Sequence, residues 1–449
     1  MKISKYTFLF DADTNPRKFY IYSTLSNALI EIDEDSYQYL SSAQKNKSEI
    51  DISKINDELY NVLTLKRFIV ENDIDSFLYY KSILTTQRQS KSAMHLTVAP
   101  TMDCCFECHY CFEKYKGKNY MSEEVMDSII KRLNLMNPQP EINRLTWFGG
   151  EPLMALNQME QLYDKLVSGY KKPKDSNVIT TGFHINKEAI RVMKHVGVSH
   201  VQITLDGLKD THNRIKYTEG CNDAFSKVMD NCELLFKSSD IHVVFRVNVT
   251  KKNAHEYVEL YHYLVNRFRQ YKRFGIGPGI VMDRGACSSN ADLSSFFTIS
   301  EATKFVLELY NKHNIHTPFL RYPSRFFSEC AIRNEVAMSF DPEGYVYKCW
   351  EVIGNKEFSI GKLNKDGRII DINQIILNRQ LYGADPIDDK VCSDCRYLPI
   401  CNGGCPIQRI QNVFEGRKNC NCTIYKGHIE NFLKIHLKLK EAGVQNKRD

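Results

Sequence analysis

Apolar residues recur along this chain with two periods, and its elements are marked out where one period gives way to the other. From Leu96 to about Gly279, short apolar runs spaced as strands alternate with longer stretches spaced as amphipathic helices. Strands are expected at residues 95–99, 144–148, 178–181, 200–205, 242–249 and 274–277. Helices are expected between them, near residues 122–137, 157–168, 187–196, 223–237 and 254–267. This alternation predicts an α/β fold with a parallel sheet, here a partial (β/α)6 barrel. Loops at the carboxyl ends of such strands carry a barrel's chemistry, so functional residues are to be sought there.

The flanking stretches follow other patterns. Over residues 1–90 strands come first and helices after: 6–10 and 18–23 around a turn from Asp11 to Pro16, then 28–33, a helix from Glu34, and amphipathic helices at 55–65 and 66–73. Near the other end, a strand pair at 337–340 and 345–348 is expected around Asp341-Pro342-Glu343-Gly344, where glycine suits the turn's last position. A basic helical tail over 425–441 is expected to pack on the barrel. Three units follow: 1–90, 94–315 and 325–435.

Composition narrows the function classes. A length of 449 residues fits about two to four domains, and 43% hydrophobic with 25% charged residues is ordinary for a globular protein. Apolar runs fall short of the roughly 18 residues of a membrane helix, and no signal-type stretch follows Met1, so a cytoplasmic protein without membrane contact is expected. The net charge of +6, from 60 basic and 54 acidic residues, gives no argument for nucleic acid and at most a mild preference for acidic peptides. Fifteen cysteines without an export signal point to metal rather than disulfides. Twelve of them fall in two groups, Cys104 to Cys111 and Cys330 to Cys422, with Cys221, Cys232 and Cys287 apart.

The first group follows the first barrel strand. Cys104, Cys108 and Cys111 have the spacing C-x3-C-x2-C, with Cys105 out of register. Three thiolates can hold three irons of a four-iron, four-sulfur cluster and leave the fourth open to a ligand. A zinc loop is the alternative, although zinc favours four closed ligands. Gly149-Gly150-Glu151-Pro152 follows the second strand, where two residues without Cβ let backbone approach a ligand. Thr204, Asp206 and Gly207 end the fourth strand, and Arg246 and Asn248 share one face of the fifth. Arg246 there needs a partner, either a ligand carboxylate or a structural one such as Asp206 or Glu151.

The cysteine triplet, with Tyr110 before its third cysteine, resembles the signature of the radical SAM enzymes. In that family the open iron chelates S-adenosylmethionine and donates the electron that cleaves it to a 5′-deoxyadenosyl radical. The resemblance thus implies catalytic roles for Cys104, Cys108 and Cys111. It also implies a cofactor-binding set of Tyr110, Gly149, Gly150, Glu151, Pro152, Thr204, Asp206 and Arg246. Thr181 departs from a frequent Asn, and Asn213 and Lys216 stand where Asp and Arg are more usual, so no role is assigned to them.

The second cysteine group resembles the SPASM domain of radical SAM peptide maturases. Its spacing is C-x13-G-x4-C from Cys330 through Gly344 to Cys349, then C-x2-C-x5-C-x3-C from Cys392 through Cys395 and Cys401 to Cys405, then Cys420 or Cys422. By that resemblance Cys392, Cys395, Cys401 and Cys422 hold one auxiliary four-iron cluster. Cys330, Cys349 and Cys405 hold the other, with an open iron or Cys420 or Cys287 as fourth ligand. A zinc ribbon on Cys392, Cys395, Cys401 and Cys405 is the alternative. The N-terminal unit is similar to the winged-helix-like element with which peptide-modifying enzymes capture a leader by strand addition; a plain capping domain is equally consistent.

Together these features imply an enzyme that modifies a ribosomally made precursor peptide, closing a thioether or carbon-carbon crosslink. It would use three four-iron clusters, S-adenosylmethionine and an electron donor such as flavodoxin or ferredoxin. A sulfatase-type maturase making formylglycine is the second reading; such relatives place an Asp base directly after the second SPASM cysteine, where this chain has Trp350 and then Glu351. A non-catalytic iron-sulfur protein that binds peptide or passes electrons is the third.

Overall fold

The computed structural model describes residues 1–108, 110–111, 117–282, 293–325 and 330–443. The chain opens with β1 (Lys2–Ile3), β2 (Thr7–Asp11), β3 (Phe19–Ser23) and β4 (Leu29–Ile32). Next come α1 (Glu34–Asn46), α2 (Asp57–Leu65), β5 (Ile69–Val70) and α3 (Asp73–Gln89). β3 is central in an antiparallel sheet with β2 and β4. It is buried throughout because alternate residues serve two cores. Phe19 and Ile21 pack with Leu40 and Leu63 of the neighbouring helices. Tyr20 and Tyr22 join Ile429 and Leu433 from the far end of the chain.

The helix expected at 66–73 is not formed. Arg67 takes a φ of 57° after α2, and Ile69 and Val70 pair with β1. Asn72 then caps α3, accepting from the Asp75 amide at 2.8 Å. A β-branched pair and an Asn cap prevailed over helical spacing; α3 itself was not anticipated.

The six expected central strands are all present. β6 (Ala93–Val98), β7 (Glu141–Trp147), β8 (Ser176–Thr180), β9 (Val198–Leu205), β10 (His242–Val249) and β11 (Phe274–Ile280) run parallel in chain order. The crossovers carry α4 (Glu123–Asn134), α5 (Leu156–Gly169), α6 (Lys187–His195), α7 (Lys209–Ile215), α8 (Ala224–Ser238) and α9 (Tyr257–Phe268). Of these only α7, a short helix after β9, was not expected. Leu96, Leu145, Trp147, Val201, Ile203 and Phe245 form the heart of the core, each worth roughly 1.5–3 kcal/mol on burial. Trp147 is wholly buried, and its indole donates to Ser176 Oγ at 3.1 Å.

After α10 (Ile299–His313) the sheet grows from its other edge. β12 (Met338–Phe340) pairs parallel with β6, and β13 (Tyr345–Tyr347), β14 (Gly361–Leu363) and β15 (Ile369–Ile370) add antiparallel, giving ten strands in all. The cysteine-rich segment therefore shares one sheet with the central strands. Gly344, at a φ of 84°, closes the expected turn between β12 and β13 by donating to the Asp341 carbonyl at 3.1 Å.

The remaining helices are α11 (Gln374–Leu381), α12 (Lys390–Ser393), α13 (Leu398–Cys401), α14 (Pro406–Phe414) and α15 (Ile429–Glu441). α15 packs on the barrel unit, its Phe432 and Ile435 sharing a cluster with Ile280 of β11 and with Val306 and Leu307 of α10, and its other apolar residues also meet the N-terminal sheet. Among the described residues no helix is long and apolar enough to cross a membrane.

Candidate active site

β6 leads into the cysteine loop, and that loop is fixed by its own backbone. Thr101 Oγ1 donates to the Asn119 carbonyl at 2.7 Å and accepts from the Asp103 amide at 3.0 Å. Asp103 Oδ1 accepts from the Cys104 amide at 3.0 Å. The loop after β7 lies directly on this turn: the Gly150 amide donates to the Thr101 carbonyl at 3.2 Å and the Glu151 amide to the Asp103 carbonyl at 2.8 Å. A Cβ on Gly149, where φ is +109°, would sit 2.3 Å from Thr101 O. One on Gly150 would sit 2.2 Å from Asp103 O. Both glycines are thus required by the cysteine loop itself. His109 of that loop, and Cys287, lie outside the described residues.

Cys104, Cys108 and Cys111 line a cavity of about 290 Å³ together with Tyr110, Gly149, Gly150, Thr204 and Arg246. Thr180, Thr181, Gln202 and Asn248 reach it from the ends of β8, β9 and β10. Ile280, Val281 and Met282 supply an apolar wall. From the C-terminal segment come Trp350 and Glu351, the two residues after Cys349. Trp350 packs edge-on against Phe148, with ring centroids 5.1 Å apart. The carboxyl ends of the parallel strands thus converge as the sequence suggested.

Glu151, Pro152 and Asp206 are not among the residues that line the cavity. Glu151 is fully buried, and its carboxylate accepts from Thr180 Oγ1 at 2.6 Å, the Thr181 amide at 2.9 Å, Thr181 Oγ1 at 2.5 Å and the Leu153 amide at 3.1 Å. It ties β7 to β8, and Thr181 serves it where an Asn was frequent in relatives. Pro152 is buried at the start of a short turn of 3₁₀ helix.

Asp206 is the centre of a second network. Its Oδ1 accepts from Tyr110 Oη and, at 3.2 Å, from Asn248 Nδ2. Lys216, unassigned from sequence, is buried beside it, with Nζ 3.5 Å from Asp206 Oδ2 and 3.7 Å from Cys108 Sγ. Its one signal was its place, a lysine closing α7 in the loop after β9. Burial pushes the Tyr110 hydroxyl's pKa well up, and Asp206 adds to this. Burial opposes the charge on Lys216, yet Tyr110, Asp206, Cys108 and Cys104 together hold its pKa above the ordinary value. His212, whose Nδ1 accepts from the Asp206 amide at 3.4 Å, is lowered to about 4 by burial. Arg246 donates from Nε to Asn248 Oδ1 at 3.4 Å. Its guanidinium crosses Gly279, where a Cβ would meet Nε at 2.6 Å.

Among the described residues the other cysteines do not line this cavity. Burial pushes the Cys349 thiol's pKa well up, and Glu351, Cys330 and Cys405 act on it in the same direction. Burial likewise pushes Cys401 up to about 11, with Cys422 and Cys395 adding to the effect. Cys392 accepts from Arg409 Nη1 at 3.3 Å and Cys422 from Lys426 Nζ at 3.4 Å. Cys420 lies with Cys422 on the rim of another cavity. Among the described residues no three His, Cys, Asp or Glu side chains converge closely enough to hold a single metal ion. Cys349 and Cys401 are thus thiols whose ionisation would need a positive charge beside them.

Residues 98–264 match the Radical SAM superfamily. Over 94% of its length the chain is 24% identical to the radical SAM cyclopropyl synthase TigE of Paramaledivibacter caminithermalis, 94% of which is covered. Its fold is similar to that of anSMEcpe with bound AdoMet, at a TM-score of 0.56 and 20% identity over 80% of this chain and 96% of that one. It is also similar to Streptococcus suis SuiB bound to the precursor peptide SuiA, at a TM-score of 0.52 and 14% identity over 94% and 98%. Residues 98–264, from the end of β6 into α9, therefore form a radical SAM domain. Such a domain implies a four-iron, four-sulfur cluster and S-adenosylmethionine.

Proposed function

We propose that this enzyme modifies a ribosomally synthesised precursor peptide, abstracting hydrogen from a side chain or Cα and closing a thioether or carbon-carbon crosslink. The observation that carries this reading is the shared cavity: Trp350 and Glu351, adjoining Cys349, face the same space as Cys104, Cys108 and Cys111. A substrate there would touch both cysteine-bearing parts of the chain. When bound, the cluster and S-adenosylmethionine supply the electron and the radical that abstracts hydrogen.

The protein's own residues have three tasks. Cys104, Cys108 and Cys111 hold the cluster. Gly149, Gly150, Thr204 and Arg246 offer backbone, hydroxyl and guanidinium groups to the cofactor's polar ends, while Glu151, Pro152, Tyr110 and Asp206 brace them. Phe148, Ile280, Val281 and Trp350 shield the space from water, which protects a radical from side reactions.

Cys392, Cys395, Cys401 and Cys422 would hold one auxiliary four-iron cluster and Cys330, Cys349 and Cys405 the other, taking up the electron left as the crosslink closes. Among the described residues no strand pairs with the outer edge of β4, which offers a place for a leader strand. In this reading residues 1–90, 94–315 and 325–435 are the leader, radical and SPASM units, and an electron carrier such as flavodoxin or ferredoxin serves the enzyme. SuiB bound to its precursor peptide supports a peptide substrate.

The test is anaerobic reconstitution with S-adenosylmethionine, a reductant and a candidate precursor. The expected products are 5′-deoxyadenosine and a peptide lighter by two hydrogens, both abolished by Cys104→Ala. Uncoupled 5′-deoxyadenosine with every neighbouring precursor left unmodified would count against a peptide substrate. One observation favours the formylglycine reading, namely that Glu351 brings a carboxylate to the cavity. An aldehyde trapped by a hydrazine on Cys- or Ser-containing sulfatase peptides would establish it.

A further inference from the structure

Lys216 is a side chain whose burial demands a reason. It is 4% exposed, and an ammonium is costly to remove from water unless charge or hydrogen bonds repay it. Its ammonium lies 3.5 Å from Asp206 Oδ2 and 3.7 Å from Cys108 Sγ. Phe106 lies beneath it, the ammonium 5.6 Å from the ring centroid. Tyr110 and Asn248 both donate to Oδ1 of Asp206, while Oδ2, the oxygen nearer Lys216, accepts no hydrogen bond. At 3.5 Å the contact with Oδ2 is electrostatic. The ammonium is therefore shared between the carboxylate and the sulfur.

We propose that Lys216, steered by Asp206, is a positioning residue that raises the reduction potential of the iron-sulfur cluster through the Cys108 sulfur. This rests on the reading that Cys104, Cys108 and Cys111 hold that cluster. Reduction adds one electron, and the added charge spreads onto the cluster's sulfurs. A fixed positive charge and a hydrogen-bond donor at one ligand sulfur favour the more negative state, and net charge and hydrogen bonds to sulfur are the known levers on such potentials. The effect is strong because Lys216 and Asp206 are both almost fully buried. Asp206 limits it, since its own negative charge acts on the same cluster with the opposite sign.

The measurement is a potentiometric titration followed by electron paramagnetic resonance, on reconstituted full-length enzyme without S-adenosylmethionine. The signal followed is the one absent from a Cys104→Ala/Cys108→Ala/Cys111→Ala variant. If that variant loses no signal, the cluster assignment fails, a result distinct from failure of the Lys216 proposal.

With the assignment secure, Lys216→Met, similar in length and uncharged, should move the midpoint to more negative potential. At the wild-type midpoint the oxidised-to-reduced ratio should rise by about tenfold or more. Lys216→Arg should keep the midpoint near wild type, and Asp206→Asn should move it positive. A Lys216→Met enzyme with full iron content and an unmoved midpoint overturns the proposal. If Lys216→Met loses the cluster, an unmoved midpoint in Asp206→Asn overturns it instead, and loss of iron from both makes the pair purely structural.

Discussion

The Glu151 amide donates to the Asp103 carbonyl at 2.8 Å, and one residue earlier Gly150 lies so close that an added Cβ would fall 2.2 Å from the same oxygen. Two loops from consecutive β/α units are thus in backbone contact at the point where Cys104 begins. Gly150→Ala must push the cysteine loop away, since carbonyl and backbone cannot yield as a side-chain end would. The expected result is iron content lowered by one cluster's complement and loss of 5′-deoxyadenosine formation, in a protein that still folds. Full iron content in the Ala variant would show that the loop tolerates the shift.

Thr181 gives both its amide and its hydroxyl to Glu151, a carboxylate with no exposure to water. Thr181→Val keeps the shape and strips one donor. Removing a partner from a buried carboxylate costs about 1–3 kcal/mol, so the variant should unfold at lower denaturant than wild type. Because Thr181 also lines the cavity, affinity for S-adenosylmethionine should fall with it. An unchanged unfolding midpoint would mean that Thr180 and Leu153 suffice.

Much of this was legible in the chain. The central strands were, because their residues are apolar over whole runs and the helices between them switch period; β10 was located to the residue. The cysteine triplet was found by spacing alone. The roles of its neighbours were not, because sequence shows residue types and not the direction in which they face. Gly149 and Gly150 suggested room for a ligand, whereas their missing Cβ atoms first make room for Thr101 and Asp103. Lys216 was passed over since nothing in sequence places it beside Cys108, 108 residues away. The N-terminal sheet packs on α15 through Tyr20 and Tyr22, a contact between chain ends that periodicity cannot register.

The ends are also joined by charge. Asp385, before α12, receives Arg88 of α3 through two contacts, one of them from Nη2 to Oδ1 at 3.1 Å, and Arg333 lies 4.0 Å away. Asp385→Ala removes the carboxylate both guanidiniums share and should cost about 3–5 kcal/mol. Chemical denaturation should show this loss, with Asp385→Asn falling between. A loss under 1 kcal/mol, on the scale of about 0–1 kcal/mol for an exposed pair, would mean that water replaces the carboxylate.

Asp341 offers a pH test at the β12–β13 turn. Burial raises its pKa from 3.8 to about 6, outweighing hydrogen bonds from the Glu343 and Tyr345 amides and Tyr347 Oη. A carboxyl whose folded pKa is raised binds its proton more tightly when folded. Its contribution is full below 3.8 and is lost as pH climbs to about 6. The shift corresponds to roughly 3 kcal/mol. The stability of Asp341→Asn, which has no such group to ionise, should therefore rise relative to wild type between those pH values and run parallel above them. Thermal melts of both proteins across the range, subtracted pairwise, give the comparison. A flat difference would show that the hydrogen bonds prevail over burial.

Trp350 tests the shared cavity. It is 40% exposed, and it stands edge-on to Phe148 at the cavity wall. If a peptide side chain enters that space, Trp350 supplies its broadest apolar contact, and Trp350→Ala should raise the peptide's KM about tenfold or more, in line with truncating a buried aromatic anchor. Affinity for S-adenosylmethionine should change far less, because the polar groups offered to it come from β7 to β10 and their loops. Peptide-independent cleavage of the cofactor should persist. The opposite pattern, a weakened cofactor with peptide KM unmoved, would assign Trp350 to the cofactor's side of the cavity and move the substrate's contact elsewhere.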